Sequence, residues 1–234
     1  MRTRIIVAAL VVAAVSLGAM ASSAFAATTI QTAPNHWEKG ETVISKAEAA
    51  KCAASETFTL KSKVLGAELE VQATGLECLE TTIFNAEVEV EGKKITMASA
   101  SGKLKFTGVS VLKPAGCKIA STLTTETING TVDEHLIDGV PTIKEYKTTK
   151  PASGTKFVSI KLEGCAAAGT YSLTGTVVGL GTTDTGTSAK NHPVVFNTET
   201  NATSELKLGK ESASIFGAAS FELSSGEEFR LTNK

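Results

Sequence analysis

Asp184-Thr185-Gly186-Thr187 carries the Asp-Thr-Gly-Thr pattern with which aspartic proteases present a catalytic carboxylate. That chemistry needs two Asp carboxylates sharing one proton, each on a loop held by apolar strands. Beyond residue 26 the aspartates are Asp133, Asp138 and Asp184 alone, with no second Asp-Thr-Gly or Asp-Ser-Gly. Thr182 and Thr183 precede Asp184 where apolar residues are needed, so the match reads as compositional. Serine hydrolysis would need a Ser, a His and an acid in one place, and no Gly-x-Ser-x-Gly elbow occurs. Of His36, His135 and His192, only His135 has acids around it, in "VDEHLIDG". On a strand Asp133 and His135 share a face and Asp138 follows at a turn. These three are weak binding candidates; a metal normally asks for two or three His or Cys ligands, and a solvated strand end is the favoured reading. Alternating surface Glu residues produce carboxylate pairs of the glycosidase kind by chance. No catalytic residue, metal or cofactor is expected.

Cys52, Cys78, Cys117 and Cys165 are the other chemistry-bearing set. Zinc knuckles need closely paired thiolates such as C-x2-C, and none is present. Four thiols in an exported chain are expected to form two disulfides. Gly116-Cys117 and Gly164-Cys165 each close an alternating apolar run, as equivalent corners of neighbouring strands would. The preferred pairing is therefore Cys117–Cys165 with Cys52–Cys78.

The elements that would carry these groups are strands. "AELEVQA" sets Leu69 and Val71 on one face against Glu68 and Glu70, and "AEVEVEG" does the same with Val88 and Val90. "GKLKFTGVSVL" changes phase at Thr107-Gly108, as a bulge would. "KFVSIKL", "TYSLTGTV" and a hairpin in "FELSSGEEFRL" about Ser225-Gly226 complete the pattern. Turn signals stand at Leu65-Gly66, Glu91-Gly92, Asn129-Gly130, Asp138-Gly139 and Ser153-Gly154. Ser45 to Ala54 has helix propensity and a cap at Ser45; it reads either as a short helix or as a polar lead-in. Residues 27–42 read as irregular, and Gly179 to Pro193 as a long mobile loop. Trp37 and Tyr146 lie among polar residues, where aromatics either pack ordinarily or stack on sugars. The expected fold is all-β: an antiparallel β-sandwich or β-barrel over residues 55–234, stapled by disulfides, after an N-terminal segment at 27–54. An outer-membrane barrel would need an apolar outer face with aromatic girdles, and here one face is Glu and Lys.

"SGKLKFTGVSVLKPAGCKIAS", "TGLEC" and "IKLEGCAAAGTYSLTG" resemble segments of a group of secreted, Cys-containing all-β proteins of high-GC Gram-positive bacteria. The resemblance covers roughly residues 58–178 and implies compartment and fold style, without an activity or site residues. With that origin, the glycosylation patterns at Asn129 and Asn201 mean little.

The first residues agree with export. Arg2 and Arg4 precede an apolar run from Ile5 to Leu17, and Ala24-Phe25-Ala26 gives a small-x-small cleavage signal, so residues 1–26 read as a signal peptide. Cleavage removes both arginines and leaves a mildly acidic chain, unsuited to nucleic acid. The leading expectation is a secreted, non-catalytic β-domain with a structural or adhesive role, its partner an envelope glycan or protein. The alternatives are a carrier with an apolar pocket inside a barrel, for which inward Ala67, Ala73, Ala86 and Gly175 leave room, and a secreted hydrolase.

Overall fold

Alternation of apolar and polar residues with abundant threonine favours extended chain, and nearly every ordered segment is a strand. The structure, a computed structural model, describes residues 28–31, 34–90, 92–137, 140–154 and 156–233; residues 1–26, read above as a signal peptide, lie outside them. In chain order the first elements are β1 (Thr28–Gln31), β2 (His36–Lys39), β3 (Thr42–Val43), β4 (Glu48–Ala54), β5 (Phe58–Val64) and β6 (Ala67–Ala73). Two long strands follow, β7 (Gly75–Val90) and β8 (Lys93–Thr107), then β9 (Ser110–Lys113), β10 (Thr122–Thr124), β11 (Ile128–Ile137) and β12 (Val140–Pro151). The rest comprises β13 (Val158–Leu162), β14 (Gly169–Thr174), β15 (Val177–Gly181), β16 (His192–Phe196), α1 (Thr198–Thr203), β17 (Lys207–Leu208), β18 (Glu211–Ser212), β19 (Ser214–Leu223) and β20 (Arg230–Thr232).

Eight strands close on themselves. Going round, β4, β7, β8, β11, β12, β15, β16 and β19 pair antiparallel in chain order, and β19 returns to β4. The closed barrel settles the sandwich-or-barrel alternative and removes the free edges that an open sheet would expose. Connections in such a meander alternate between the two ends. The excursions β5–β6, β9–β10, β13–β14 and α1–β17–β18 all interrupt connections of the same parity, so all four gather at one end and form a cap. At the other end, the base, the connections β7–β8 and β11–β12 are tight, and a small sheet of β20, β2 and β3 crosses it.

Each end has its own apolar cluster. The larger one joins cap and barrel through Phe58, Leu69, Ile160, Leu162, Leu208 and neighbours; the smaller one at the base holds Trp37, Ile83, Val132, Leu223 and Phe229. Full burial of one such side chain stabilises by about 1.5–3 kcal/mol. Outside the barrel, Glu77–Lys105 and Glu80–Lys103 bridge β7 and β8 at 2.9 Å, pairs that solvate the surface more than they stabilise it.

Gly217 sets the path of β19. Its φ of 136° lies where L side chains are strained, and a Cβ there would stand 2.9 Å from Thr57 O and 3.0 Å from Phe58 Cα. Before it, β19 pairs with β5 in the cap; from it onward, the strand pairs with β16 and then β4 in the barrel.

Both expected disulfides are present, with Cα atoms 5.2 Å apart for Cys52–Cys78 and 4.8 Å for Cys117–Cys165. The first ties adjacent barrel strands near the cap, and the second joins two excursions inside it. Around the second, Lys118 and Glu163 exchange backbone hydrogen bonds of 2.8 and 3.0 Å, so the Gly-Cys corners do face each other.

Several local expectations need correction. The stretch Glu48–Ala54 is strand β4, and not a helix, because it pairs with β7 on one side and β19 on the other. Residues 28–31 and 36–39, within the stretch 27–42 read as irregular, are β1 and β2, and β3 begins at its last residue. Asn129-Gly130 lies inside β11 and makes no turn. Past the turn in which Gly226 N donates to Leu223 O, β20 pairs with β2 and not with β19. Gly179 to Gly181 end a fully buried strand, and the 182–191 connection is tied down by Gly186 N to Leu231 O and by paired bonds between Ala189 and Phe229. Among the described residues no helix is long and apolar enough to cross a membrane.

Candidate ligand cavity

The barrel interior follows from register, because residues directly opposite in neighbouring strands point to the same side. Val132 is buried and faces inward, and its partner on β12 is Lys147. Gly130 likewise faces Thr149, and Thr149 faces Val177 on β15. Opposite Lys147 stands Gly179, where a Cβ would lie 2.5 Å from Val194 Cγ1 and 2.8 Å from Phe196 Cε1, so those two side chains pack directly over its backbone. On the far side Val194 faces Ala219, and His192 faces Phe221.

These side chains leave a cavity of about 180 Å³. Towards the cap its walls are Phe58, Leu104, Phe106, Leu173, Phe196 and Phe221; towards the base they are Trp37, His192, Phe229 and Lys147. Phe58 packs edge-on against Phe106 at 5.5 Å between centroids, and Trp37 against Phe229 at 5.4 Å. His192, 2% exposed, donates from Nε2 to the Phe229 carbonyl at 2.9 Å, with the two rings 4.0 Å apart. The Lys147 ammonium lies 5.5 Å from the Trp37 ring centroid, within cation–π range.

Trp37 reaches this position because two asparagines hold its strand across the base. The Asn85 Oδ1 accepts from Trp37 N at 2.7 Å, and Asn85 Nδ2 donates to the carbonyls of Trp37 and Ile44, both at 3.0 Å. The last direct pair between β8 and β11 is Ser99 with Thr131. One step further the Asn35 carboxamide stands in for the ladder, donating to Val132 O and accepting from Ala98 N, each at 2.8 Å. Trp37 Nε1 donates to Ser99 O at 3.2 Å. Beyond that point β1 takes the place of β8 beside β11, pairing from Gln31 opposite Glu134 to Thr28 opposite Ile137.

On the other face of β2, Glu38 receives Arg230 Nε at 2.8 Å and Nη2 at 2.7 Å, and His36 Nε2 lies 3.1 Å from its second oxygen. The Arg230 bonds hold the Glu38 carboxyl below its ordinary value; burial opposes this and His36 assists. The group reads as the clamp between β2 and β20.

Asp133 and His135 sit on β11, Asp133 opposite Tyr146 and His135 opposite Ile30 of β1, while Asp138 lies outside the described residues. Among the described residues no group of three His, Cys, Asp or Glu is placed to hold a metal. Asp184 is exposed in the base connection, where its carbonyl accepts from Thr187 N at 3.0 Å. Asn201 is built into the fold, bonding both N–H and C=O of Ile215 and the carbonyl of Asn197 at the cap of α1. Trp37, which stands among polar residues in the sequence, is 4% exposed and packs in the base cluster, the ordinary-packing reading. Lys147 and His192 line the cavity although no sequence motif marks them. For Lys147 the signal was there only in pairing, since its alternation in "KEYKTTK" does not say which face is inside. No family model matches the chain, and neither a curated protein nor a solved structure matches it.

Proposed function

We propose that the protein binds and carries a small apolar molecule inside its barrel. Among the roles expected from sequence, this is the one the geometry supports best. The observation that carries it is the cavity of about 180 Å³ walled by phenylalanine, leucine, valine and alanine within a closed barrel. An apolar cavity of about 150 Å³ stays dry and takes up a molecule of benzene size, so the space here suits on the order of ten non-hydrogen atoms. Export is part of the same proposal: two disulfides fit an oxidising compartment, and residues 1–26 carry the pattern of a cleaved signal peptide.

Trp37 is the only tryptophan in the chain and lines the cavity, so its fluorescence reports occupancy directly. Titration with 1-octanol should give a saturable change. Gly130→Ile should weaken it tenfold or more, because a Cβ at residue 130 meets nothing closer than Thr149 Oγ1 at 3.5 Å and the larger side chain occupies the space. An unsaturable response, or binding that ignores the filled cavity, would remove the carrier reading.

A further inference from the structure

Resting on the carrier reading, we propose that the ligand is aromatic: a single ring with a short substituent, held among the phenylalanines of the barrel. Six of the eight phenylalanines beyond residue 26 line the cavity, together with Trp37. Phe84 and Phe216 are the two that do not. An apolar pocket does not require that concentration, since leucine and valine bury apolar area as well.

Two of the rings are seated by glycine backbone. Phe196 stands directly opposite Gly217 across β16 and β19. Phe58 lies over the same glycine, where an added Cβ would stand 3.1 Å from Phe58 Cδ1. Gly179 leaves the room into which Phe196 leans, a Cβ there falling 2.8 Å from Phe196 Cε1. A side chain at either glycine would displace a ring. Phe58 in turn meets Phe106 at 78° and Phe196 at 55°, with centroids 5.5 and 5.8 Å apart. At the base Trp37 and Phe229 cross at 64°.

An aromatic ring is negative on its face and positive at its edge, so rings pair best edge to face or offset. Crossed rings at both ends of the cavity thus offer faces and edges to whatever lies between them. An aromatic guest answers both, whereas a saturated guest of the same bulk gains dispersion alone. The volume of about 180 Å³ is little larger than the ~150 Å³ that takes up benzene, so one ring and a short substituent fill it.

2-Phenylethanol and 2-cyclohexylethanol share a carbon skeleton and a hydroxyl, and differ in whether the ring is aromatic. The saturated alcohol leaves water more readily, so apolar burial by itself ranks it first. The wild-type protein should reverse that order and bind 2-phenylethanol about fivefold more tightly or better, followed by Trp37 fluorescence and confirmed by calorimetry. The double change Phe58→Leu and Phe106→Leu should bring the ratio to about one or below. Phe216→Leu, outside the cavity, should leave it unchanged. A wild-type ratio of about one or less, or a preference that survives the double change, would overturn the aromatic assignment with the carrier reading intact. Saturable binding of neither alcohol, and none of 1-octanol, would overturn both. The wild-type comparison stands whether or not a variant folds.

Discussion

The Asn35 carboxamide donates to the carbonyl of Val132 at 2.8 Å, where β11 parts from β8 and direct pairing ends. A side chain thus completes the wall of the barrel at its base. Because the same carboxamide also accepts from Ala98 N, one residue satisfies two main-chain groups on two different strands.

Asn35→Ala should therefore cost about 1–3 kcal/mol, since it strands a buried donor and acceptor that water does not reach. Urea titration followed by circular dichroism measures this. A midpoint equal to that of the wild type would mean that β8 and β11 close without help.

The pair Cys117–Cys165 closes a loop across two excursions of the cap, away from the base residues of the cavity. Replacing both with serine should lower stability by roughly 2–5 kcal/mol. Octanol binding should persist at temperatures where the variant is folded. Peptide mapping without reductant checks the connectivity, and free thiols at both positions would contradict it.

Acid should loosen the base before the cap. The Glu38 carboxyl is held below its ordinary value by Arg230, so its contribution to stability is fully present above the unfolded carboxylate range, near pH 4.3. That contribution is lost as pH falls through the depressed folded value. Trp37, adjacent in sequence and opposite Leu231 of β20, should report the change by fluorescence. Glu38→Gln should be less stable at neutral pH and should lack this acid-dependent step. An identical step in both proteins would assign it to other carboxyls.

Much of this architecture is legible in the sequence, for reasons specific to its strands. Leu69 and Val71 against Glu68 and Glu70 give a two-residue period that only a half-buried strand uses, and the repeated Gly-Cys corners mark positions that meet. What stayed hidden depends on pairing across long separations. Alanine, glutamate and lysine in Glu48–Ala54 favour a helix locally, yet strand partners on both sides override that preference. The face that Lys147 takes is undetermined by the sequence until Val132 is known to lie opposite it. Trp37 belongs to a strand of four residues whose course is set by Asn35 and Asn85; Asn35 lies outside any periodic pattern, and Asn85 reads as one more polar position of the run that continues through Glu87 and Glu89.

The chain enters through β1 and β2 and makes its last pairing through β20, all at the base, while all four excursions lie at the opposite end. A tether fused to either terminus would thus hold the molecule in one orientation, with the cap pointing away from the attachment point. Tension on a C-terminal tether would load the short β2–β20 ladder first, whereas tension on an N-terminal one would first load the β1–β11 ladder.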